Sequence, residues 1–210
     1  MALLVAGIIL GFGVPNLMEF QRNSAMSAAA NDLVTALLVA RTEAVKRQAP
    51  VTLCLTDNPT ATTPTCAPGS VFDSATRGYV VWVDENNNFD ADGARVLTDV
   101  TDGNRVIDAG ELVLSQIAAP GATTRVHVTA SCGHLTFAPT GFLLPPVPPC
   151  GTSLVRAVIF CDDRGQRVAA GSLASTRAVR MRATGRPEVL QELSVITPLI
   201  PPAANCPVIP

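Results

Sequence analysis

No position from Met1 to Met18 carries a charge, and from Glu19 onward polar and apolar residues follow each other at helical spacing without a break. Leu33, Val34, Leu37, Leu38, Ala40, Ala44 and Val45 fall at that spacing, with Asn31, Asp32, Thr35, Arg41, Thr42 and Lys46 interleaved. This period predicts an amphipathic helix. It ends near Gln48, because Pro50 pushes the residue before it out of helical dihedrals. The uncharged segment, as a helix of about 27 Å, approaches the thickness of a hydrocarbon core. Gly7, Gly11 and Gly13 lower its helix propensity and Pro15 favours a kink, a combination tolerated where lipid or neighbouring helices enforce the helix. A cleaved export signal fits less well: no basic residue precedes the run and no small-residue cleavage site follows it. The expectation is a single helix whose residues 1–18 lie in a membrane or filament core and whose residues 19–48 continue into water.

Beyond Pro50 the period drops to two. Short runs rich in β-branched and apolar residues, separated by Gly, Pro, Asn and Asp, mark strands at Val51 to Leu55, Tyr79 to Val83, Leu112 to Gln116, Arg125 to Thr129, Leu135 to Ala138, Val155 to Cys161, Arg177 to Arg182 and Val189 to Leu193. Such spacing predicts antiparallel sheets packed on the helix, an α+β fold. Residues 49–197 form the β-rich domain and 198–210 a Pro-rich tail, with surface connections at Thr56 to Ser74 and Leu144 to Gly151.

Composition adds three points. Of 210 residues 48% are hydrophobic and 15% charged, against about 25% charged in an ordinary domain, so the chain leans on an apolar partner. Six cysteines, Cys54, Cys66, Cys132, Cys150, Cys161 and Cys206, all lie beyond the uncharged segment, which reads as disulfides in an oxidising compartment, the periplasm or cell exterior. Six cysteines allow fifteen pairings; loop closure favours the near-neighbour scheme Cys54 with Cys66, Cys132 with Cys150, and Cys161 with Cys206. Finally, charge is segregated: 84–111 holds eight acids and two arginines, net −6, while 156–192 holds seven arginines and four acids, net +3.

The acidic stretch has oxygen ligands and glycines, but it fails the EF-hand loop, which needs Gly sixth: counting from Asp84 puts Phe89 there, and from Asp99, Asn104. A solvated hairpin loop is the favoured reading, with calcium or magnesium as the alternative. Cys132, His134, Cys150 and Cys161 lack the paired spacing of a zinc site, and exported thiols oxidise, so no metal or cofactor is expected. His127 and His134 are the only histidines. Neither stands in a nucleophile-like setting, and no acid pair has a context that raises a carboxylate pKa; the chain reads as non-enzymatic. Strand geometry puts Arg180 and Arg182 on one face, with Arg177 before them and Arg186 just past a glycine turn. Such guanidiniums suit phosphate contacts. A solvated face paired with Asp162, Asp163, Glu188 or Glu192 is the competing reading, since no aromatic residue lies nearby in sequence to stack bases.

Taken together, Val14-Pro15-Asn16-Leu17, Ala28 to Leu37, Ala40 to Arg47 and Val51 to Cys54 resemble the GspH/FimT family of minor pilins and pseudopilins. Gly78 to Asp84, Asp108 to Glu111, Phe137-Ala138-Pro139-Thr140-Gly141, Cys161 to Gly165 and Thr184-Gly185-Arg186 fit in the same order, over nearly the whole chain. The resemblance implies a helix half in the inner membrane before assembly, a periplasmic β-rich domain, and incorporation into a type II secretion pseudopilus or type IV pilus tip. Partners are then other pilins, through Leu3, Leu4, Val5, Ile8, Ile9, Leu10, Phe12, Val14 and Pro15. Some FimT-like members bind DNA for uptake through basic C-terminal residues, so DNA is a further candidate partner, as is a secreted substrate. Two departures are visible. The family's prepilin-peptidase leader and helix glutamate are absent, which implies that the reading frame starts upstream. The FimT-type Gly-Arg-x-Arg element reads Gly185-Arg186-Pro187-Glu188, with an acid replacing the second arginine.

Overall fold

The computed structural model describes residues 2–66, 78–84, 107, 110–118, 125–128, 134–144, 156–162, 164–166, 168–170, 173–182 and 184–199, of which 2–16, 125–128, 156, 168–170 and 173 are described as backbone only. Helix α1 (Ala2–Arg47) runs as one element through Pro15. Met26, Ala29, Ala30, Leu33, Ala36, Leu37, Ala40 and Ala44 are buried along it, at the steps of three and four that keep one side of a 3.6-residue helix toward a core. Leu38 and Val45, one position beyond members of that stripe, point outward at 46% and 44% exposure. The helix stops by a backbone device. Gln48 takes a left-handed φ of 55°, the Ala49 amide donates to the Ala44 carbonyl at 3.3 Å, and the Gln48 side chain donates to the Val45 carbonyl at 2.6 Å. That is the Schellman arrangement, with Lys46 and Arg47 in the last turn opposing the negative end of the helix dipole.

Among the described residues, one antiparallel sheet has the order β3 (Leu112–Ile117), β2 (Gly78–Val83), β1 (Val51–Thr56), β5 (His134–Phe137). A second has β4 (Arg125–Val128), β6 (Arg156–Cys161), β8 (Leu173–Met181) and β7 (Val168–Ala170), with β9 (Pro187–Glu192) also paired to β8. Period two shows directly in what meets the helix. Val51, Leu53, Leu55, Tyr79, Val81, Val83, Leu135, Phe137, Val158, Phe160, Val179 and Met181 join the helix stripe in a single core. Each buried Leu, Val or Phe there contributes about 1.5–3 kcal/mol. The opposite faces are covered too: Cys54, Val80 and Trp82 form a second cluster with Cys66, Ile107 and Val113. Ile159, Cys161, Ala174, Ala178, Leu190 and Ile196 form a third. This double coverage explains why β1 and β2 are buried at every position.

The strand expectations hold in number and order except around β8. That strand begins at Leu173, four residues before the expected Arg177, and pairs with a three-residue β7 that the sequence pattern does not show. Ser175 and Thr176 are buried there because both hydroxyls donate to the Gly165 carbonyl, at 2.6 and 3.1 Å; small polar residues give no period-two signal when the fold satisfies them. β9 starts at Pro187, which β8 alone accepts as a partner among the described residues, a sheet margin where proline's missing donor costs nothing. After Glu192 the chain turns into a short helix α2 (Leu193–Ile196) and a 3-10 turn (Thr197–Leu199), so Leu193 opens a helix rather than closing a strand.

Candidate functional site

Leu17, Met18 and Phe20 stand 56%, 51% and 69% exposed on α1, ahead of the stripe that grips the domain. They are large apolar side chains left uncovered on the described part of the helix. The expected packing residues from Leu3 to Pro15 have helical backbone, and their side chains lie outside the described residues. Among the described residues no helix is long and apolar enough to cross a membrane.

Where the helix meets the domain, Arg164 fastens it. Its guanidinium grips Asp162 with contacts of 2.6 to 3.1 Å and donates from Nη1 to Asn23 Oδ1 at 2.9 Å. The ion pair is buried, at 9% and 4% side-chain exposure. It is held by a turn in which the Gly165 amide donates to the Asp162 carbonyl at 3.0 Å. Burial makes such a pair costly unless every donor is used; here the donor that Asp162 leaves over reaches α1.

At the other end of the helix two three-residue loops stack. Gly141 (φ 77°) donates to the Ala138 carbonyl and Gly185 (φ 73°) to the Arg182 carbonyl, each at 2.8 Å. The Ala138 amide reaches Phe142 O at 2.8 Å and the Arg182 amide reaches Arg186 O at 3.2 Å. Left-handed glycine in the third loop position is what this hairpin type requires. A Cβ on Gly185 would collide with the Gly141 carbonyl oxygen, so the two loops are in direct contact there. Arg41, Phe142, Arg182, Arg186, Pro187 and Glu188 line the open cleft of about 610 Å³ beside them.

The four arginines expected to face phosphate are divided. Register pairs Arg180 with Glu188 across the hairpin. The Glu188 carboxylate accepts from Arg180 at 2.8 Å and from Arg182 at 2.9 and 3.1 Å. Those bonds, Arg180's first, hold its pKa below the usual carboxylate value. Arg186 stays exposed on the turn. Arg177 is a correction to the sequence reading: only 8% exposed, it donates to the Ala174 and Thr176 carbonyls at 2.5 and 3.1 Å. Burial, with Arg164 nearby, lowers its pKa. It packs inside, with Nη1 turned to these two backbone carbonyls. The sequence reading had no signal for Arg41 or Phe142, which reach the cleft from elements far apart in the chain.

Cys54 and Cys66 are bonded. Cys161 is bonded too, and its partner, like Cys132, Cys150 and Cys206, lies outside the described residues. Residues 85–106 of the acidic stretch also lie outside them. Asp84, grouped with that stretch by charge, is fully buried and accepts from Thr52 at 2.9 Å. Thr52 in turn bonds Thr136 at 3.0 Å. Among the described residues no three His, Cys, Asp or Glu gather as a metal would need.

The family model described as Type II transport protein GspH matches residues 29–185. No curated protein matches the chain. Two crystal structures of the type IV minor pilin FimU from Pseudomonas aeruginosa (strain PAO1) are similar. One is 18% identical, with 83% of this chain and 94% of that chain covered and a TM-score of 0.46. The other is 17% identical, with 78% and 91% covered and a TM-score of 0.42.

Proposed function

The chain belongs to the family of type II transport protein GspH and is a minor pilin or pseudopilin, a structural subunit of a type II secretion pseudopilus or type IV pilus; we propose that α1 is its assembly element. The observation that carries this is the division of the helix. Its second half is glued to the domain by the Met26 to Ala44 stripe, and just ahead of it Leu17, Met18 and Phe20 remain uncovered. An apolar surface without a partner of its own is a contact surface. In this reading residues 1–18 rest in the inner membrane and pass into a bundle of subunit helices. Lipid tails are as apolar as those helices, so close packing must drive the transfer. The Cys54–Cys66 bond supports a periplasmic domain, since disulfides persist in oxidising compartments. The family is structural, which supports a non-catalytic role.

Replacing Phe20 with Asp tests this. Phe20 is 69% exposed, so the variant should melt with wild type, yet burying a carboxylate among helices should cut its share of the sheared filament fraction by about tenfold or more. Wild-type incorporation of Phe20→Asp would overturn the proposal.

A further inference from the structure

We propose that the cleft between α1 and the two glycine loops docks an acidic peptide segment of a neighbouring filament subunit, with Arg41 and Arg186 receiving carboxylates and Phe142 with Pro187 receiving an apolar side chain. The identity of the neighbour rests on the filament reading; the binding itself does not.

The guanidiniums of Arg41 and Arg186 make no ion pair or hydrogen bond among the described residues, although Arg180 and Arg182 beside them share Glu188. Two guanidiniums thus stand uncompensated at a concave surface that already shows how it holds a carboxylate, with forked contacts of 2.8 to 3.1 Å. Arg41 is built into place. A Cβ on Gly141 would lie 3.3 Å from its Nε and 3.1 Å from Val45 Cγ2, and one on Gly185 would lie 3.5 Å from that Nε. Both glycine turns thus lie against the side chain of a half-buried cation from the helix. Phe142 closes one side at 55% exposure. Phe142 and Pro187 line the cleft together. Partly exposed aromatics beside arginines are the anchors of protein interfaces.

Charge complementarity points to a peptide. The chain itself carries net −6 over 84–111, so a second copy carries in its own sequence an acidic segment of opposite charge to the cleft. Nucleic acid fits less well, because Glu188 already engages Arg180 and Arg182 and takes them out of the set that could follow a phosphate backbone. Only about two cations remain for a backbone, a salt slope near −2 and weak binding.

The test uses the full chain in detergent and a dye-labelled peptide copying residues 85–93, whose Glu85, Asp90 and Asp92 surround Phe89, read by fluorescence anisotropy. Binding with a Kd of about 10–100 µM is expected. Arg186→Ala, on an exposed turn, should weaken it about tenfold with an unchanged melt, each charge-assisted contact being of that order. Phe142→Ala should weaken it about fivefold. Glu188→Gln, which releases Arg180 and Arg182, should tighten it. No binding at about 1 mM peptide, or equal binding by Arg186→Ala and Phe142→Ala, overturns the proposal. So does a short DNA duplex that binds more tightly than the peptide and displaces it, which assigns the cleft to nucleic acid. Phe20→Asp should keep full peptide affinity even where it fails to assemble, so loss of docking and loss of the filament reading are separate results.

Discussion

Single residues at turns carry more of this fold than their surface position suggests. Gln48 is in the left-handed region at φ 55°, where a residue with a Cβ costs about 1–2 kcal/mol. Gln48→Gly gives up the exposed side-chain bond to Val45 and should still raise stability by about 0.5–1 kcal/mol in urea titration. Gly185→Ala predicts the reverse. It meets both a positive φ of 73° and the Gly141 carbonyl, and should cost about 2 kcal/mol or more. Glu188 adds a pH dependence of known sign. Its carboxylate is held below its ordinary value of 4.5, first by the hydrogen bond from Arg180 and then by that from Arg182. A depressed carboxylate stabilises the fold above its unfolded value and ceases to do so as pH falls through the folded one. Urea midpoints taken from about pH 6 down to about pH 3 should therefore fall less steeply in Glu188→Gln than in wild type.

Along an element the same side chain has two prices according to its angle. Leu37 is fully buried in the stripe and Leu38 is 46% exposed, though they are neighbours with equal helix propensity. Leu37→Ala should cost about 3 kcal/mol through lost burial and an unfilled cavity, whereas Leu38→Ala should stay within about 0.5 kcal/mol in the isolated protein. A filament-incorporation assay should rank them differently if Leu38, with Val45, touches a neighbour. The strands behave alike. Those whose inward residues are large, β1, β2, β5 and β6, are legible from period two, and the start of β8 is not, because Ala174, Ser175 and Thr176 fill their places without a hydrophobic signal.

For the whole molecule the Asp162–Arg164–Asn23 connection matters most, since it ties a domain turn to α1 across 141 residues of sequence. It lies just beyond the exposed Leu17 to Phe20 group, so it sets where the assembly helix leaves the domain. Arg164→Ala abandons Asp162, only 4% exposed, as an uncompensated buried charge and should lower stability by about 3–5 kcal/mol. Asn23→Ala keeps the ion pair and should cost about 1 kcal/mol. Equal losses in the two variants would show that the ion pair contributes little beyond the contact with the helix.

The amino-acid pattern by itself determined the long helix, its end before Pro50, the antiparallel strands and their order, because those follow from local periodicity and from backbone limits on proline and glycine. The likeness of its ordered motifs to the GspH/FimT family was equally legible. Only the tertiary structure decided which arginines are available. Arg177 turned inward, Arg180 and Arg182 closed on Glu188, and Arg41 arrived from the helix to stand by Arg186. Depth and partnership of a charged side chain depend on register and on elements distant in sequence, and period two tells only which side of a strand it leaves, never what has been packed there.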